Sequence, residues 1–281
     1  MSSLVEAVGP YVEAVQGTRV VDLEHLDILR AEHGLSRREA EIAVLEHGIM
    51  PRRYLRNAGT VGVEGQLALL RSSAAVIGLG GLGGYICEGL ARMGVGRLVI
   101  ADGDIFCDHN LNRQLLSSER NLGESKAQVA SERVSQVNRG IEVVCHPTRA
   151  TRENLPQLLS DVDVVIDALD RLPSRLVLQE VAAQVGVPMV HGAIAGWMGQ
   201  VMTILPGDAG LRALYGDGPV PEQGAEVGLG TPPASPMMVA AWQVHEAIKV
   251  ILGVGELLRN RMLLLDALVG EIRVIELPNR I

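Results

Sequence analysis

The side chains best suited to chemistry gather between residues 74 and 126. An apolar run, AAVI, feeds a glycine-rich turn in which Gly78, Gly80 and Gly83 stand at the spacing G-x-G-x-x-G, with Gly81 between them. In such a turn the first glycine permits the sharp exit from a strand. The second lets backbone approach a phosphate, the third lets a helix pack on the strand, and the helix N-terminus then faces the anion. One helix length further on, VIADGDI carries Asp102 and Asp104. An acid where Asp102 stands, at the end of the second strand, suits the hydroxyl pair of a ribose. Asp104 reads equally as a ligand or as a turn acid. NLNRQ follows at 110–114, with Asn110, Arg113 and Gln114, and then Lys126. Hydride transfer needs little positive charge here. Attack on the α-phosphate of ATP must stabilise charge on phosphorus and on departing pyrophosphate, which is work for Arg, Lys and magnesium. The cluster therefore points to adenylyl transfer.

A second group follows the apolar run 162–166. Asp167 and Asp170 stand where a strand of an open parallel sheet would end, the edge at which such sheets bind ligands. Asp170 suits a magnesium ion between phosphates or, alternatively, a helix N-cap before LPSRLVLQE. Asp167 reads equally as ligand or scaffold.

Alternating elements must position these groups. Apolar strand candidates lie at 74–78, 97–101, 141–146, 162–167 and 187–191, separated by segments of helical length and period. Short buried strands between helices predict a Rossmann-like α/β fold with a mostly parallel sheet covered by helices on both faces. Further strands are expected at 200–205, 262–266 and 271–277, and a buried helix at 236–252. Residues 206–235 are rich in Gly and Pro, the composition of a functional loop. Residues 1–57 read as helices, with a capping box at Ser36 and Glu39. Ser125 and Gln128 suggest a second box. The chain thus divides into an N-terminal helical extension, 1–57, and a main domain, 58–281. A DNA-binding helix-turn-helix also fits the extension, but the acidic balance favours a packing role.

Composition sets bounds. The 281 residues carry a net charge of −8, which argues against a nucleic-acid binder, and 47% are hydrophobic, ample for a core. No uncharged apolar run is long enough to span a membrane, and the N-terminus has no basic start of a secretory signal. The three cysteines, Cys87, Cys107 and Cys145, form no disulfide framework and fit a reducing cytoplasm.

Together GLGGLG, the D-x-D with NLNRQ, Lys126, the Asp167-x-x-Asp170 strand end, HGAIAGWMGQV and the Gln243 to Lys249 pattern resemble the ThiF/MoeB/HesA group, bacterial relatives of ubiquitin-activating enzymes. The similarity covers roughly residues 52–277. It implies an adenylyltransferase that uses ATP and magnesium on the C-terminal carboxylate of a small β-grasp sulfur-carrier protein ending in Gly-Gly. Asp102 would hold the ribose, Asn110, Arg113 and Lys126 the phosphates, and Asp170 the magnesium. It also implies a homodimer in which Arg56, or alternatively Arg53, reaches the partner's site. The chain has no C-x-x-C pair, so no zinc is expected. The loop at 206–235 has no cysteine, so the chain is expected to stop at the adenylate and leave sulfur to a separate sulfurtransferase. A nicotinamide-dependent oxidoreductase and a non-catalytic nucleotide-binding partner module are the alternatives.

Overall fold

The computed structural model of the chain describes residues 2–278. The N-terminal unit begins with helix α1 (Ser2–Val8), strands β1 (Glu13–Val15) and β2 (Thr18–Val21), helices α2 (Leu23–Glu32) and α3 (Arg37–Glu46), and a short β3 (Met50–Pro51). This corrects the all-helical reading of 1–57. Gln16 and Gly17, both at positive φ, close a two-residue hairpin between β1 and β2, and β3 joins as a parallel neighbour of β2. The capping box at α3 is present: the Glu39 amide donates to Ser36 Oγ, and the Ser36 amide donates to the Glu39 carboxylate.

A helical turn at Arg52–Asn57 leads to α4 (Ala58–Arg71), which is interrupted at Gly62. The main domain then alternates β4 (Ser73–Ile77), α5 (Gly83–Met93), β5 (Arg97–Ala101), α6 (Lys126–Val137), β6 (Glu142–His146), α7 (Leu155–Leu158), β7 (Val164–Asp167), α8 (Leu172–Gln184) and β8 (Met189–Ala195). An antiparallel β9 (Met198–Ile204) follows. The Gly/Pro-rich segment contains two short helices, α9 (Leu211–Tyr215) and α10 (Glu226–Leu229). Helix α11 (Ala234–Leu252) and the hairpin β10 (Arg261–Asp266) and β11 (Glu271–Glu276) complete the chain. Ser125 stands at the N-cap of α6, but its side chain makes no cap bond, so the second box is absent. Its neighbours Asp104 and Lys126 already pair through backbone, which fixes the helix start.

The strand order is β11-β10-β9-β8-β7-β4-β5-β6, parallel from β8 to β6. Successive residues of β4 alternate between two cores. Ala74 and Val76 pack with α5, α6 and α11, while Ala75 and Ile77 pack with α7, α8 and α9. Burial on both faces is what the unbroken apolar runs require. The chain leaves β4 toward β5 and β6, then returns to place β7 on the other side of β4. A crevice therefore opens between the ends of β4 and β7.

One buried polar cluster joins the N-terminal unit to the main domain. Tyr54 Oη donates to Glu41 Oε2 at 3.0 Å and accepts from Asn138 Nδ2 at 2.8 Å; Arg53 also reaches Asn138. Burial pushes the Glu41 carboxyl above the usual carboxylate range, with Arg53 and Tyr54 pulling the other way. A carboxyl raised on folding contributes stability that is full below its unfolded value and is lost as pH climbs through the folded one. Glu41→Gln should therefore flatten the fall in stability from about pH 4.5 upward in denaturant titrations. An unchanged pH profile would contradict this. Tyr54→Phe should cost about 1–3 kcal/mol at neutral pH by orphaning both partners.

Candidate active site

A cavity of about 760 Å³ runs along the carboxyl ends of the parallel strands. Its floor at one end is the glycine turn. Gly78 adopts φ +93°, and a Cβ there would lie 2.6 Å from the Ala168 carbonyl oxygen, so the ends of β4 and β7 approach as only glycine permits. A Cβ at Gly83 would overlap the Gly78 carbonyl oxygen, which is the close helix–strand packing expected of the third glycine. Gly80 and Gly81 line the cavity; Gly83 stands behind the turn.

Asp102 lines the cavity, and both its oxygens are engaged. Oδ2 accepts from the Leu79 amide at 2.7 Å and Oδ1 from the Asp104 amide at 2.8 Å. Burial lifts its carboxyl above the usual range, against the pull of those amides and of Lys126. Asp104 pairs with Lys126 Nζ at 3.3 Å and Arg149 at 3.1 Å. Burial lifts the Asp104 carboxyl, but the two cations outweigh it and hold the group below its ordinary value. Lys126 reaches this point because residues 123–126 pair back on 104–106. Phe106 N donates to Glu124 O, Gly123 N to Phe106 O, and Lys126 N to Asp104 O.

Arg113 and Gln114 come to the cavity from the turn after Asn110, whose carbonyl accepts both their amides. Asn110 itself does not line the cavity. It is buried, and its Oδ1 accepts from the Cys107 amide, so it shapes the turn that presents its neighbours. Gln114 lines the cavity, and its Oε1 is buried without a hydrogen-bond partner among the described residues.

At the β7 end, Asp170 is exposed to the cavity without a partner among the described residues. The N-cap of α8 is Arg171, so Asp170 does not cap. Asp167 is fully buried and holds His191 Nδ1 at 2.7 Å, which makes it scaffold. Arg171 and Arg175 also line the cavity. Neither these two nor Arg149 stood out from the sequence; each follows a strand end, which only the sheet order reveals. Arg56 lies away from this cavity, exposed and without a partner among the described residues, whereas Arg53 is committed to Asn138 and Glu41. The Gln243 to Lys249 pattern is internal too. Gln243 Nε2 donates to the Asp167 carbonyl, and Glu246 accepts from Thr203 and the Leu258 amide, seating α11 on the sheet.

The wall across from the strand ends is built by the Gly/Pro-rich segment. Gln223 to Leu229 face the cavity, tied down where Gly196 N donates to Gly230 O at 2.8 Å. The set fits a nucleoside triphosphate: a cradle a Cβ would fill, and cations that follow three strand ends, those of β5, β6 and β7. No group of three or more His, Cys, Asp or Glu poised for a metal occurs among the described residues. A magnesium ion bound mainly through phosphates needs only one or two carboxylates, and Asp170 fits that part.

The glycine geometry makes a sharp prediction. Gly83→Ala should cost about 2–3 kcal/mol in urea denaturation, because the methyl group overlaps backbone. Gly81→Ala, whose Cβ would meet Pro236 at an ordinary 3.6 Å, should stay within about 0.5 kcal/mol of wild type. Equal losses would show that the turn relaxes and the cradle is not rigid.

Comparison with known proteins agrees with this geometry. The SAMP-activating enzyme E1 of Haloferax volcanii is 37% identical over 222 residues, covering 77% of this chain and 81% of that one. A sulfur carrier protein adenylyltransferase of Thermus thermophilus is 38% identical over 223 residues, covering 76% and 81%. In fold the chain is similar to E. coli MccB crystallised with ATP, with a TM-score of 0.66 at 20% identity over 81% of this chain and 71% of that one. Residues 54–280 match the ThiF family, from the turn that carries Tyr54 to the end of the sheet, and the chain belongs to that family.

Proposed function

We propose that the chain is an ATP-dependent adenylyltransferase that activates the C-terminal carboxylate of a small β-grasp sulfur carrier ending in Gly-Gly. The observation that carries this reading is the gathering of Arg113, Lys126 and Asp170 in one cavity at the switch point of the sheet. The relatives named for sulfur-carrier adenylylation and SAMP activation support the same reaction class.

The nucleotide lies across the glycine turn, with its phosphates over Gly80 and Gly81 and at the N-terminus of α5. Asp102 takes the ribose edge and, through the Leu79 amide, holds the turn in place. A carrier carboxylate oxygen attacks the α-phosphorus; a P–O bond forms as the bond to the β-phosphate oxygen breaks, and pyrophosphate leaves. Arg113 and Lys126 neutralise charge on the reacting phosphates. Lys126 is paired with Asp104 in the absence of substrate, so phosphate binding exchanges one anionic partner for another. Asp170 would hold the magnesium that accompanies the triphosphate, and the ion would supply further charge neutralisation.

Sulfur delivery falls to a separate sulfurtransferase. None of the three cysteines lines the cavity, and burial pushes the Cys87 thiol up to about 12, far from a reactive thiolate. Residues 1–57 serve as an extension that anchors the Arg56 segment through Tyr54, Glu41 and Asn138. Arg56, without a partner among the described residues of its own protomer, completes the site of a second copy in a homodimer. No helix among the described residues is long and apolar enough to cross a membrane, and we assign the reaction to the cytoplasm on the reduced cysteines.

Radiolabelled ATP–pyrophosphate exchange with magnesium and a panel of Gly-Gly-ended carriers tests the reaction. Exchange should depend on one carrier and fall at least about 100-fold in Arg113→Ala, the scale of losing one preorganised cation. Carrier-independent exchange, or none with any carrier despite ATP binding, would overturn the reading. The dimer has its own test. Arg56→Ala and Arg113→Ala, each inactive alone, should regain about a quarter of wild-type activity when mixed, because random pairing makes half the dimers mixed with one intact site each. No recovery after subunit exchange would show that Arg56 does not act across the dimer.

A further inference from the structure

Asp167, His191 and Gln200 form a chain of contacts from beneath the sheet end into the cavity. Asp167 and His191 are register partners on β7 and β8, both wholly inaccessible to solvent. A carboxylate offers only acceptors. Asp167 Oδ1 takes the Leu169 amide at 3.0 Å, and Oδ2 faces His191 Nδ1 at 2.7 Å, so the ring proton sits on Nδ1. Burial lowers the basicity of the ring, with Asp167 pulling the other way, so His191 is neutral at pH 7. Its Nε2 is then a bare lone pair, and only a donor can face it. The group that does so is the Gln200 amide, at 3.1 Å. The two ends of a glutamine amide are told apart by their partners, and here the NH₂ must point at the ring. Gln200 Oε1 is therefore turned away from His191. It has no partner among the described residues and is not sealed from solvent, and Gln200 lines the cavity.

An amide oxygen repels carboxylate and phosphate and accepts from N–H. The donors of a nucleotide held at Asp102 are remote from it. Gln200 lies on β9 and Asp102 follows β5, four strand spacings away, roughly 19 Å. Ile194, Met198 and Leu229 also line the cavity, from β8, the start of β9 and α10, an apolar environment suited to an extended segment without side chains. Resting on the adenylyltransferase reading, we propose that Gln200 Oε1 accepts a hydrogen bond from a backbone N–H of the carrier's Gly-Gly tail. Asp167 and His191 are positioning residues that fix which end of the Gln200 amide the tail meets.

The probe is the carrier that best supports exchange in the panel above, prepared with either of its last two glycines replaced by sarcosine, which has no N–H. With unmodified carrier, Gln200→Leu raises the KM for carrier about tenfold, the size of one neutral hydrogen bond. The KM for ATP stays near wild type. Sarcosine at one of the two positions produces the same loss in wild type and no further loss in Gln200→Leu. Asp167→Asn provides a second variant. The Leu169 amide holds its oxygen, its NH₂ faces His191, the ring tautomer inverts, and Gln200 presents NH₂ to the tail; the carrier KM rises while the KM for ATP does not. Additive losses from sarcosine and Gln200→Leu, or equal rises in both KM values, would overturn the assignment and leave Gln200 as scaffold. Absence of exchange with wild-type enzyme and unmodified carrier would overturn the underlying reading, and this one with it.

Discussion

The Asp102 carboxylate holds the whole site together. Its two oxygens bind one amide from the turn after β4 and one from the turn after β5, so a single buried group fixes the glycine turn against the acidic turn. Hydrogen bonds to an anion are strong, and losing either would leave a buried charge poorly compensated. From that clamp the other positions follow. The turn after β5 carries Asp104, whose backbone carbonyl starts α6 and whose carboxylate holds Lys126. The turn after β4 carries the glycines against the end of β7, where Asp170 begins. Displacing this clamp would separate the cations from the cradle by more than a side-chain rotation can recover.

Much of this was legible in the sequence because it is local. Strands buried on both faces must read as unbroken apolar runs, and all eight strands of the main sheet fall on or beside the runs that the sequence shows. The N-terminal hairpin was hidden by a competing signal. Leu4, Val5, Val8 and Val12 keep helical spacing up to the hairpin, and Gln16-Gly17 is too slight a turn signal to interrupt it. Its strands are three and four residues long, short of any clear alternation. Ser125 shows the opposite failure. The right residue types stand at the right spacing, but the backbone pairing of 123–126 with 104–106 already satisfies the start of α6.

The cations divide in the same way. Arg113 and Lys126 declared themselves through neighbours in a motif. Arg149, Arg171 and Arg175 sit in stretches that read as ordinary loop and helix start. They become site residues only because β6 and β7 lie in the order that brings their ends to one edge. Asp167 and Asp170 were indistinguishable by type, three residues apart at one strand end. Burial separates them: the first faces inward to His191, the second outward to the cavity. The strand ends at Asp167, so the sheet holds the first and the bend after it turns the second, and a sequence without a known strand end does not fix that.

A chain of net charge −8 that builds a cationic cavity must place its negative charge where it holds cations rather than cancels them. Asp104 does this by pairing with Lys126 and Arg149. Glu246 and Asp167 instead lie outside the cavity lining. Their carboxylates are consumed by Thr203, the Leu258 amide, His191 and the Leu169 amide, so neither projects into the cavity. Asp170 is different in kind, because it faces the cavity with no cation bonded to it. A carboxylate left so in a cavity lined by arginines is suited to a ligand that brings a further positive charge with it. Under the proposed reaction, that charge would be a metal ion bound with the triphosphate.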